Sequence, residues 1–129
     1  MLVFLIVACN SQKPDTGQIE NETAVTNIRS DEAKELLSEN KDIIILDVRT
    51  PQEFNAGHIK GAKNINVADK NFSPKIEGLD RNSTYLVYCR TGNRSQYAIK
   101  FMEEQNFRSV YHLEHGITEW VGSGNPVEK

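Results

Sequence analysis

Three short apolar runs mark the frame of this chain. Ile43-Ile44-Ile45-Leu46 is unbroken and stops at Asp47, Tyr85-Leu86-Val87-Tyr88 stops at Cys89, and Ser109 to Leu113 forms a third stretch. Continuous apolar character predicts strands covered on both faces, as in a parallel sheet. Between the runs the apolar spacing becomes helical. Ser30 precedes Asp31-Glu32, with Ala33, Leu36 and Leu37 at i, i+3 and i+4; this predicts a helix capped by Ser30 with acids in its first turn. Thr50-Pro51-Gln52-Glu53-Phe54 places a proline where a first helical turn loses nothing by lacking its N–H. From Ser95, the residues Ala98, Phe101 and Met102 share one face with Tyr97 beside them, and Asn106 is the predicted stop. Strands alternating with helices predict an α/β domain with a mainly parallel sheet, in which ligands bind beyond the C-terminal strand ends. Asp47 and Cys89 both occupy such ends.

The N-terminal pattern is of another kind. Leu2 to Ala8 is apolar throughout and runs directly into Cys9. It is far shorter than the ~20 residues that cross a bilayer as a helix, and matches the apolar core of a signal peptide. Ile6-Val7-Ala8-Cys9 resembles the lipobox of bacterial lipoproteins, although no Lys or Arg precedes the run. That resemblance implies removal of residues 1–8 and lipidation of Cys9. The alternative is an apolar N-terminal strand with an incidental cysteine. Residues 10–22 are polar apart from Ile19 and carry Pro14 and Gly17, a composition that reads as a flexible tether. The expected organisation is a leader over 1–8, a lipid-anchored tether over 9–24 and a folded domain over 25–129.

Composition narrows the chemistry. A chain of 129 residues with 38% hydrophobic residues can build one core, so disorder throughout is excluded. A net charge of −3 and the lack of any Lys/Arg run give no general attraction for nucleic acid. The 2 cysteines stand far apart and the 3 histidines form no metal-ligand spacing, so neither a disulfide framework nor a zinc site is expected.

The candidate chemistry lies in the segment Tyr88-Cys89-Arg90-Thr91-Gly92-Asn93-Arg94-Ser95. A buried strand delivers Cys89 to the sheet edge, a short loop follows, and a helix begins near Ser95. Loop N–H groups can converge on one spot, with Gly92 free to take a positive φ. The helix N-terminus, Arg90 and Arg94 add positive charge there. This layout predicts a lowered Cys89 pKa and a nucleophilic thiolate. The bland reading, a small buried hydrophobe at a strand end, leaves the arginines, glycine and helix start unexplained.

The loop resembles the active-site loop of rhodanese-like sulfurtransferases. Three further segments resemble hallmarks of that family in the right order: Asp47 to Phe54, Gly57-His58-Ile59-Lys60-Gly61-Ala62-Lys63-Asn64-Ile65, and Gly116-Ile117-Thr118-Glu119-Trp120. The likeness spans roughly residues 26–120. His115 departs from it, standing where members often carry a second glycine, in a position read as lying away from the cysteine loop. The resemblance implies a five-stranded, mainly parallel sheet with helices on both faces and one catalytic cysteine. Cys89 would take sulfane sulfur from a donor such as thiosulfate and pass it to cyanide or a thiol. The backbone of Arg90, Thr91, Gly92, Asn93, Arg94 and Ser95 would cradle the persulfide. Arg90 would draw the anionic donor, and Arg94 would either face it or turn inward to Asp47 or Glu53. Asp47, Arg49 and His58 are read as architectural, and Trp120 as core. No metal or organic cofactor is implied.

Two rival readings compete with this one. Cys-dependent phosphatases of a related fold commonly show His-Cys, five residues and then Arg; here Tyr88 replaces the His and only four residues separate Cys89 from Arg94. The shorter loop suits one sulfur better than a tetrahedral phosphate. The second rival is a persulfide carrier, redox sensor or docking module, against which the intact loop argues. The lipoprotein resemblance implies a place in a bacterial envelope, facing the periplasm and sorted to the outer membrane in a diderm. There an oxidising setting would call for a redox or sulfur-relay partner to preserve the thiol.

Overall fold

A computed structural model describes residues 22–129. The expected leader, Cys9 and the tether up to residue 21 lie outside the described residues. Elements alternate along the chain: β1 (Ala24–Ile28), α1 (Ser30–Glu39), β2 (Ile44–Asp47), α2 (Pro51–Ala56), β3 (Lys63–Asn64), α3 (Phe72–Glu77), β4 (Thr84–Tyr88), α4 (Asn93–Glu104), β5 (Ser109–Leu113) and α5 (Gly116–Gly122). Five parallel strands form one sheet in the order β1-β5-β4-β2-β3. β4, the strand that ends at Cys89, is therefore the central one.

Side-chain alternation along β4 sorts the core into two layers. Tyr85, Val87 and Cys89 join Phe72, Ile76, Ala98 and Met102 in a cluster under α3 and α4. Leu86 and Tyr88 join Ala33, Ile117 and Trp120 in a cluster under α1 and α5. Cys89, 1% exposed, thus follows the period of its strand and lies on the α4 side.

Local chemistry explains most boundaries. Thr50 caps α2: its hydroxyl accepts the Glu53 N–H at 3.2 Å, while Glu53 reaches back toward the Thr50 N–H at 3.3 Å, with Pro51 at the first position. Asn106 leaves α4 at φ 63°, as a helix-stopping residue does. The start of α1 corrects the expectation for Ser30. That residue is the first of the helix, and its hydroxyl is buried without a hydrogen-bond partner. Carboxylates do the capping instead: Glu32 accepts the Arg29 N–H at 3.2 Å, and Glu119 of α5 accepts the Ser30 N–H at 2.9 Å. On α4, Ile99 rather than Tyr97 completes the buried face with Ala98 and Met102, and Tyr97 is 66% exposed.

The residues read as architectural occupy such places. Arg49 grips Asp47, with the carboxylate buried at the end of β2, and also donates to the Gly57 carbonyl at 2.7 Å. His58 stacks on Phe54 at 3.7 Å between ring centroids, and its backbone bridges Glu128. Trp120 is 6% exposed and donates its indole N–H to the Pro126 carbonyl at 2.9 Å.

Candidate active site

Cys89 leaves the central strand and the chain turns at once into α4. Gly92 makes the turn at φ 110°, and a β-carbon there would run into the Glu114 carbonyl, so conformation and space both demand glycine. The Gly92 N–H points at Cys89 Sγ at 3.1 Å, and the Ser95 hydroxyl lies 3.3 Å from the same sulfur. Burial alone would push the thiol up. Hydrogen bonds from the Ser95 hydroxyl and from the N–H groups of Ser95, Gly92 and Thr91 outweigh it and hold Cys89 below the ordinary thiol range. The Gly92 N–H and the Ser95 hydroxyl are placed to stabilise a sulfur anion at this spot.

The remaining loop residues divide by exposure. Arg90, Thr91 and Asn93 are exposed at the rim, whereas Gly92 and Ser95 are buried. Arg94 takes the inward alternative. Its guanidinium meets the Glu53 carboxylate through two bonds of 2.7 and 2.8 Å, tying α2 to α4. The Arg94 bond is also the main reason that the Glu53 carboxyl falls to about 2. Arg90 is left as the outward cation, beside a groove of about 430 Å³ that Glu53, Gly57, Ile117 and Val127 also line.

Two groups of residues beyond the loop complete the site. The first corrects the reading that sets His115 apart from the loop. The residues on either side of it pack against the loop: the Glu114 carbonyl covers Gly92, and Gly116, at φ 64°, lies so close that a β-carbon would strike the Arg90 carbonyl. Ile117 and Thr118 donate their N–H groups to the Cys89 and Arg90 carbonyls at 3.0 and 3.1 Å. The second group is Asn27 and His112, which sequence reasoning passed over. His112 lies on β5 with Nε2 2.6 Å from the Ser95 hydroxyl and Nδ1 3.1 Å from Asn27 Oδ1. The signal was a histidine at a core-facing position, two residues after Val110 in a strand next to the centre of the sheet.

Among the described residues, no group of three or more His, Cys, Asp or Glu side chains is placed to hold a metal ion.

Comparison with known proteins identifies the family and the fold. The rhodanese-like domain family matches residues 30–123. The thiosulfate sulfurtransferase GlpE of Shewanella oneidensis is 37% identical over 84 residues, covering 65% of this chain and 81% of that protein. A sulfurtransferase of Allochromatium vinosum is 28% identical over 104 residues, covering 80% of this chain and 94% of that one. The crystal structure of a rhodanese-related protein from Thermoplasma volcanium matches with a TM-score of 0.68 at 34% identity, over 80% of this chain and 97% of that one. A five-stranded parallel sheet with a cysteine loop at its central strand, matched along most of its length, makes this chain a member of the rhodanese-like domain family, with relatives that are sulfurtransferases.

Proposed function

We propose that the chain is a sulfurtransferase that carries sulfane sulfur as a persulfide on Cys89. The observation that supports this most strongly is the convergence of the Gly92 N–H and the Ser95 hydroxyl on a buried sulfur. In the first half-reaction the Cys89 thiolate attacks the sulfane sulfur of a donor such as thiosulfate. A new S–S bond forms, the donor's S–S bond breaks, and sulfite leaves with the bonding pair. In the second, cyanide or a thiolate attacks the outer sulfur, and the Cys89 thiolate departs as it began. No net oxidant is needed. Arg90 at the rim attracts the anionic donor, while Thr91 and Asn93 shape the entrance. The N–H groups from Arg90 to Ser95 hold the charge of the outer sulfur. Arg94 serves the loop from behind through Glu53.

In the cell this domain would hang from an envelope membrane by a lipid on Cys9, facing the periplasm, and meet a redox or sulfur-relay protein there. The support is the resemblance of residues 6–9 to a lipobox and the polar stretch that follows.

The test is turnover. Thiosulfate and cyanide should yield thiocyanate with the wild-type domain and none with Cys89→Ser. If neither thiosulfate nor a persulfide donor supports turnover, Cys89 is better read as a carrier, sensor or docking thiol.

A further inference from the structure

A chain of four side chains runs from Cys89 back through the sheet. Sγ lies 3.3 Å from Ser95 Oγ, Oγ lies 2.6 Å from His112 Nε2, and Nδ1 lies 3.1 Å from Asn27 Oδ1. Cys89, Ser95 and His112 are 1%, 0% and 3% exposed, so no bulk water competes for the first two of these bonds. The direction of each bond follows from its end. Asn27 Oδ1 can only accept, so the imidazole carries its proton on Nδ1 and offers a lone pair at Nε2. The Ser95 proton then has two acceptors, Nε2 at 2.6 Å and the Gly92 carbonyl at 3.1 Å, and the shorter contact prevails. With its proton so engaged, Ser95 Oγ presents a lone pair to the Cys89 thiol.

We propose that His112 is a positioning residue that takes up the proton of Cys89 through the Ser95 hydroxyl. The S–H proton passes to Oγ as the Ser95 proton passes to Nε2. The products are a thiolate, an intact serine hydroxyl now donating to it, and an imidazolium held by Asn27. One S–H bond breaks, one N–H bond forms, and no charge leaves the site. This reading rests on the proposed sulfur transfer, since it supplies the nucleophile for that reaction.

The surroundings suit the role. Burial keeps His112 below the usual imidazole range, so it stands neutral at rest, and its imidazolium depends on the thiolate charge formed in the same step. Beyond its own strand, Glu114 favours the imidazolium and His115 opposes it. The loop after β4 contributes Cys89, while β1 and α4 contribute the uncharged Asn27 and Ser95.

The experiment is the pH profile of Cys89 alkylation by iodoacetamide, in the domain from Thr23 onward, for wild type and three variants. Alkylation reads the thiolate whether or not sulfur is transferred. His112→Gln can keep a hydrogen bond to Ser95 but cannot take a proton; its midpoint should rise by about one pH unit, a roughly tenfold loss of thiolate below the midpoint. Asn27 is exposed on the edge strand β1, so its variants leave the core intact. Asn27→Asp should lower the midpoint by favouring the imidazolium, and Asn27→Ala should raise it. Midpoints unchanged in His112→Gln and Asn27→Asp would overturn the relay. Should His112→Gln fail to fold, an unmoved Asn27→Asp profile overturns it alone. Thiosulfate loading, measured on the same samples, separates the two claims: absent loading with shifted profiles ends the sulfur-transfer reading and leaves the relay standing.

Discussion

The guanidinium of Arg94 faces the carboxylate of Glu53 in a paired, two-bond contact that joins the first turn of α4 to the first turn of α2. It braces the cysteine loop from outside, and its strength depends on Glu53 remaining ionised. The Glu53 carboxyl is lowered to about 2 in the folded chain, chiefly by Arg94. A depressed carboxylate contributes stability that is present above its unfolded pKa and lost as pH falls toward the folded value. Glu53→Gln should therefore cost on the order of 1 kcal/mol at neutral pH, after allowing for solvent screening. It should also flatten part of the stability loss between about pH 4.5 and 2. Urea unfolding of both forms across that range measures the difference.

Glu119 plays a corresponding part on the opposite layer. It accepts the Ser30 N–H and the Arg29 guanidinium, the latter at 2.8 Å, and so caps α1 from α5. Glu119→Ala should lower stability by about 1 kcal/mol, the usual cost of losing a helix cap. Ser30→Ala should cost much less, because its buried hydroxyl has no partner. Equal losses in urea unfolding would contradict this assignment of the cap.

Gly116 supports the loop directly. Its φ of 64° and the nearness of the Arg90 carbonyl leave no room for a side chain. Gly116→Ala should destabilise the domain by about 2 kcal/mol or more and slow Cys89 alkylation by displacing the loop. Gly122→Ala, where a β-carbon meets only open space, should do neither. Denaturant midpoints and alkylation rates of the two variants decide it.

The proposed anchor has its own test. In the full chain expressed in a diderm bacterium, wild type should sediment with membranes and take up labelled fatty acid. Cys9→Ser should do neither. Equal fractionation of the two forms would remove the lipoprotein reading.

What could be read in the chain follows from where each contact is made. β2 and β4 were legible because each pairs on both sides and is covered on both faces, which forces an unbroken apolar run. The edge strands β1 and β3 were not. β1 is exposed at four of its five residues and β3 has only two, so neither carries a hydrophobic signature. The cysteine loop was legible because its parts are contiguous. His112 and Asn27 were not, since only strand pairing unites them with Cys89: Asn27 pairs in register with His112, and His112 with Val87, two residues before the cysteine. The cap of α1 was misread for the same reason, because its acceptor lies 89 residues away on α5.

The most direct measurement is the intact mass of the domain from Thr23 onward after brief exposure to thiosulfate, beside Cys89→Ser. The account predicts a gain of one sulfur atom in the wild type alone, removed by cyanide with release of an equal amount of thiocyanate. A Cys89 that alkylates readily yet never gains sulfur from thiosulfate or a persulfide donor would contradict it.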